Sequence, residues 1–96
     1  MQYYVYELAP GYRVMDVQSD WTETPPRVVA PLLPVDNSPP MPARFEPILD
    51  VDGTRCVLHA AELAAVPTRV LKQPIADLSG HHDQITRALD IVFHGF

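Results

Sequence analysis

The chain is poor in cysteine, in positive charge, in glycine and in long apolar runs. A single cysteine, Cys56, cannot close an intrachain disulfide, so no covalent staple and no oxidising compartment is implied, and a cytoplasmic location is the expectation. Seven Lys plus Arg stand against 12 Asp plus Glu, a formal net charge of -5, which argues against direct contact with nucleic-acid phosphates. Four scattered glycines form no phosphate-cradling loop. No run approaches the roughly 18 apolar residues a membrane span needs, and the alternating start Met-Gln-Tyr-Tyr-Val-Tyr does not read as a signal peptide, so the mature chain is expected to begin at Met1. No membrane partner is expected.

What is present is proline, 11 in 96 residues, about twice the average usage of roughly 5%. Pro31, Pro34, Pro39, Pro40, Pro42 and Pro47 remove too many N–H donors for a helix interior or a central strand, so 31–47 is expected to be a loop. The parts on either side are each too short for a core of their own, so residues 1–96 are expected to form one domain. Outside that loop the segments Gln2–Glu7, Arg13–Val17, Arg27–Ala30, Pro47–Val51, Thr54–His59 and Thr68–Lys72 are short, rich in β-branched or aromatic residues and bounded by turn formers, which predicts strands. Asp52-Gly53 between two of them is a hairpin signal. Ala60–Ala65 is Ala- and Leu-rich enough for a helical turn.

The last segment reads as a helix over 79–94, capped by Ser79, carrying Asp83 in its first turn and closed by Gly95 in the left-handed conformation. Ile85, Ala88, Leu89, Ile91, Val92, Phe93 and Phe96 spread over an arc of about 200° at 100° per residue, where packing on one core asks for nearer 100°. Two readings follow. Either the helix meets a second copy of the chain as well as its own sheet, or a small domain buries more of its terminal helix than usual.

The sequence is sparse in recognisable chemistry. His81 and His82 are adjacent and diverge by about 100° on a helix, His94 lies three turns on, and neither HExxH nor a Cys-His spacing occurs, so no metal or cofactor is expected. Cys56 sits in an alternating strand and reads as a buried inert thiol. Ser19 and Ser79 lack a nucleophile-elbow motif, and no catalytic residue is assigned. A binding surface is the remaining class. Trp21 follows a polar, turn-like stretch, where it is either an exposed anchor or folded back on the core. Arg87, Asp90 and His94 share one polar helix face within about 60°.

The start MQYYVY, the block Asp16-Val17-Gln18-Ser19-Asp20, then Thr24-Pro25, Arg27 and Pro31-Leu32 form an ordered pattern. It continues with Ala65-Val66-Pro67, Ala76-Asp77-Leu78-Ser79 and a terminal helix closing on Phe93, one residue, and Gly95. Along its whole length the chain resembles the CcdB-type toxins of bacterial type II toxin–antitoxin modules. The resemblance implies a mainly β, SH3-like barrel of antiparallel strands with a small hairpin sheet and one C-terminal helix. It implies a homodimer with Ile91, Val92 and Phe96 at the interface. It implies a non-enzymatic poison that binds the A subunit of DNA gyrase, traps the cleaved gyrase–DNA complex, and is neutralised by a CcdA-like antitoxin. The positions used on gyrase correspond to Trp21, Thr22, Asp90, Phe93, His94, Gly95 and Phe96. Here the sequence departs from the best-known members, which are similar but carry tryptophan at His94, isoleucine at Trp21 and asparagine at Asp90. Two other classes stand against this reading: a homologue that no longer poisons gyrase and acts as an antitoxin-binding regulatory partner, and an endoribonuclease like the MazF-type toxins. The acidic balance and the lack of a recognisable Arg and Ser/Thr site weigh against the latter.

Overall fold

The computed structural model describes residues 1–21, 26–35 and 46–95. Among these residues seven strands and one α-helix follow in the order β1 (Tyr4–Ala9), β2 (Tyr12–Asp16), β3 (Pro26–Pro34), β4 (Ile48–Val51), β5 (Thr54–Leu58), β6 (Ala64–Pro67), β7 (Ala76–Asp77) and α1 (His82–His94). Every pairing is antiparallel. The strands run β4-β5-β3-β2-β1-β7, a nearly closed barrel, with β6 paired to the first half of β3. Mainly antiparallel β with a single C-terminal helix is the expected class, and the β4–β5 hairpin joins the rest through the last residues of β3, where Leu32 faces Leu58 and Pro34 faces Cys56.

Strand β3 corrects the expected start of the loop at Pro31, since it runs through Pro34. An edge change explains how it accommodates proline. Residues 26–29 of β3 face β6 and residues 32–34 face β5, and Pro31 falls in the gap between the two partners. Its carbonyl accepts the His59 N–H at 2.9 Å, while its missing N–H would point to the same side, where no strand residue stands opposite to need it. Pro47 precedes β4. The intervening 36–45 lie outside the described residues.

Two other expectations fail on the same segment. Ala60–Ala65 is not helical: the chain turns where the Glu62 N–H meets the His59 carbonyl at 3.0 Å and then extends into β6. Six residues cannot offset the cost of helix nucleation, and pairing along the open edge of β3 wins. Thr68–Lys72 is not a strand, because Pro67 ends β6 and Thr68–Val70 closes a 3₁₀ turn, with the Leu71 N–H on the Thr68 carbonyl at 3.0 Å. The Asp52-Gly53 turn is as read, with φ of 52° and 85° as a type I′ turn requires and the Gly53 N–H held by Asp50 Oδ1 at 2.8 Å.

The helix is shorter than expected. Ser79–His81 form a 3₁₀ turn, and Ser79 caps nothing with its side chain; Asp77 Oδ1 takes the Ser79 N–H instead, at 2.9 Å. Asp83 lies in the first turn of α1 and Gly95 closes it at φ 79°, its N–H on the Ile91 carbonyl at 2.9 Å. Ile85 joins the main core with Val5, Met15, Leu32, Leu49 and Leu58, and Leu89 packs beside them. A second cluster of Tyr6, Val14 and Val29 lies on the opposite face of the sheet. Val92 sits within 20° of Ile85 on the helical wheel yet is 37% exposed, so the last turn of α1 projects beyond the core that seals Ile85 and Ala88.

Cys56 is fully buried, and that burial pushes its thiol up from the ordinary range. A folded sample is expected to leave this thiol unmodified by a thiol reagent at neutral pH and to react only as it unfolds; rapid stoichiometric labelling of the native protein would contradict the burial.

Candidate functional site

The block that follows β2 is built around one carboxylate. Asp16 ends β2 opposite Val29, so Arg27, two residues along β3, is its diagonal neighbour on the same sheet face. Asp16 is 0% exposed, and its oxygens are saturated. Oδ2 accepts Arg27 Nε at 2.8 Å and the Met1 nitrogen at 3.2 Å, while Oδ1 accepts Arg27 Nη2 at 3.1 Å and the Gln18 N–H at 3.0 Å. These four donors match the roughly four lone-pair sites a carboxylate offers. The bidentate bond to Asp16 raises the Arg27 pKa, and burial, helped by the Asp16 charge, raises that of Tyr6, whose hydroxyl lies 3.2 Å from the Met1 nitrogen.

Arg27 also reaches forward. Its Nη2 donates to the Gln18 carbonyl at 2.9 Å and to Asp20 Oδ1 at 3.3 Å, and Gln18 Oε1 takes the Val28 N–H at 2.8 Å. Asp20 in turn accepts the Gln2 N–H at 2.9 Å, and Ser19 Oγ accepts the Trp21 N–H at 3.2 Å. Asp16, Gln18, Ser19 and Asp20 thus spend their polar groups on fixing the backbone of the turn. Trp21 is carried on it with its indole 97% exposed, so the exposed reading holds and the folded-back one does not.

The other candidates lie on the last turns of α1. Asp90 and His94 are exposed, Phe93 is 62% exposed, Gly95 is the helix stop, and Ile91 is half-buried beside the projecting Val92. Thr22 and Phe96 lie outside the described residues. Asp90 also closes a shallow groove along α1 lined by His82, Asp83, Thr86 and Arg87. The residues therefore form two clusters. The turn bearing Trp21 is tied through Gln2 to the first residues of the chain, and Tyr3 there hydrogen-bonds His82 at the start of α1. Phe93, His94 and Gly95 sit about 18 Å further along the helix axis, at 1.5 Å per residue.

Two groupings escaped the sequence reading. Tyr3 meets His82 across 79 residues, ring edge to ring face with centroids 5.4 Å apart. The buried His59 donates from Nδ1 to Glu46 at 2.9 Å and lies 3.4 Å from Glu62. Only the Glu62 contact, at i+3, had a local signal. Among the described residues no three His, Cys, Asp or Glu side chains converge as a metal-ligand set, and no described helix is long and apolar enough to cross a membrane.

A curved antiparallel barrel with one C-terminal helix that projects past its core is the architecture implied by the sequence pattern, and it presents a tryptophan and a phenylalanine to solvent. A model of the CcdB protein family matches residues 2–95, and the chain belongs to that family.

Asp16→Ala strands the Arg27 guanidinium and is expected to cost about 3–5 kcal/mol, as breaking a buried ion pair does, measured by urea unfolding. A loss below about 1 kcal/mol, the range of an exposed pair, would show that the network is dispensable.

Proposed function

We propose that this protein is the toxin of a toxin–antitoxin module, a non-enzymatic cytoplasmic poison that binds the A subunit of DNA gyrase and traps it on cleaved DNA. A CcdA-like antitoxin neutralises it. The observation that carries the reading is the family match over 2–95 together with the two exposed aromatic side chains at positions the family uses on its target. An indole left in water forgoes about 4–6 kcal/mol of burial, from 150–250 Å² at 25 cal/mol per Å², so a site that presents one gains most when a partner covers it. Trp21, Thr22, Asp90, Phe93, His94, Gly95 and Phe96 are the gyrase contacts in this reading. The acidic net charge of -5 suits a protein that acts on a DNA enzyme by touching its polypeptide.

The substituted positions set how the contact is made. His94 in place of tryptophan offers less area to an arginine, and once protonated it repels it. Trp21 supplies aromatic bulk where the best-known members carry isoleucine, and Asp90 supplies a carboxylate for a charge-assisted bond to a basic group. The aromatic weight of the site has moved from the end of α1 to the β2–β3 turn. The homodimer proposal uses Ile91, Val92 and Phe96, with the exposed Val92 side of α1 covered by the same side of a second copy.

Purified protein is expected to inhibit supercoiling and to accumulate cleaved DNA in the presence of gyrase, an effect reversed by a cognate antitoxin. Trp21→Ala should abolish it and His94→Ala should weaken it less. No cleaved complex at any concentration would leave the antitoxin-binding, non-poisoning reading, which the loss of tryptophan at position 94 favours. Sedimentation at micromolar concentration is expected to show a dimer; a monomer removes the explanation given for Val92.

A further inference from the structure

The two clusters of the candidate target face share few described connections, and one of them runs through a residue in an uncommon conformation. Tyr3 has φ of 71°, which is sterically unfavourable for a bulky side chain and persists only where surrounding contacts over-determine it. Those contacts point in two directions. The Tyr3 N–H donates to the Asp16 carbonyl at 2.7 Å, at the root of the turn that carries Trp21. The Tyr3 carbonyl accepts the Leu78 N–H at 2.9 Å, and its hydroxyl and ring meet His82, so the other side of the residue grips the approach to α1 and its first turn. Leu78 is buried in the main core, which makes that grip a fixed one. The neighbouring Gln2 reinforces the first side, its N–H on Asp20 and its side-chain amide on the Val17 carbonyl at 3.3 Å.

We propose that Tyr3 is a positioning residue of the target face: held between the Asp16 carbonyl and His82, it fixes where the Trp21 turn stands relative to α1, and so the spacing at which one partner meets both clusters. It touches no partner itself. The role rests on the gyrase-binding reading for its biological use, while the coupling of turn to helix is a property of the free protein. The conformational requirement explains why a residue with no place in either cluster binds both. An aromatic ring reaches His82 edge-on, and a hydroxyl at its tip supplies a directional contact to the helix start.

The test uses the chain's one tryptophan as a fluorescence donor. Arg87→Cys, exposed on α1, takes a thiol-linked acceptor while the buried Cys56 does not. Labelled protein is diluted into excess unlabelled Trp21→Phe, so that transfer reports distances within one chain. Tyr3→Phe, which keeps the ring, and His82→Ala are each introduced, with a cooperative thermal transition as the check on folding. Both are expected to broaden the Trp21-to-label distance distribution, and the same substitutions without label are expected to weaken gyrase A binding about five-fold, the factor of one net hydrogen bond. Distributions that superimpose on that of the parent in both variants would overturn the proposal, because a residue that merely adds stability leaves the native distance unchanged. Absence of gyrase A binding in the parent would sink the poison reading alone, and the distance distributions would still decide the positioning role.

Discussion

The burial of the Asp16 carboxylate is the constraint on which the rest of this structure turns. An ionised group with no exposed surface is tolerable only when every lone pair is met, and the four donors that meet it come from three places in the chain: Met1, Gln18 and Arg27. Satisfying one charge therefore fixes the first residues, the end of β2 and the start of β3 against one another. Arg27 has donors left over after Asp16, and it spends them on the Gln18 carbonyl and on Asp20. The ordered turn is a by-product of neutralising a buried charge. The described polar residues before Trp21 are engaged in this way, and the indole that follows is exposed.

This gives the pattern Asp16-Val17-Gln18-Ser19-Asp20 a physical meaning that its resemblance to a family does not. The acids and amides hold the backbone of residues 16–21 in place, and Trp21 follows them exposed. The same division of labour appears at α1. Ile85 and Ala88 seal the helix to the barrel, and the turn that carries Phe93 and His94 extends past that seal before Gly95 stops it. In both places the chain anchors a segment tightly and then presents an aromatic side chain just beyond the anchor. Rigid support at such positions lowers the ordering entropy lost on binding, which is the usual reason an interface residue sits beside a well-packed one.

How much of this could be read beforehand depended on how local each signal was. The barrel strands β1, β2, β4 and β5 announce themselves through alternation and turn residues, and Asp52-Gly53 fixes the hairpin by a backbone requirement of two adjacent residues. What misled were segments whose state is set from a distance. Ala64–Pro67 has little strand propensity and becomes β6 because the first half of β3 offers an unpaired edge. Pro31 reads as a strand breaker and is tolerated because β3 changes partners at that point. The wide apolar arc of α1 was legible, though its cause is partly different: Val92 lies near the centre of the buried face and is exposed by where the core ends along the axis, not by its angle. For the site, the exposed Trp21 and the terminal helix residues could be named from the pattern, whereas Tyr3 with His82 and His59 with Glu46 join residues too far apart in sequence for any local rule to pair them.

The departures at positions 21 and 94 gain weight from the way each is supported. His94 is exposed on the last helical turn before Gly95, outside the core that seals Ile85 and Ala88, so a change of ring at this position leaves that core untouched. Trp21 stands on a turn cross-braced by Arg27, Gln18 and Asp20 and tied to the start of α1 through Tyr3. In the gyrase-binding reading, aromatic bulk moves from the projecting end of α1 to a segment braced by the Asp16–Arg27 network. In that reading, contact area given up at position 94 is offset at position 21. That reading requires the spacing between the Trp21 segment and the helix to be kept, which is the role proposed for Tyr3, held at positive φ between the Asp16 carbonyl and His82.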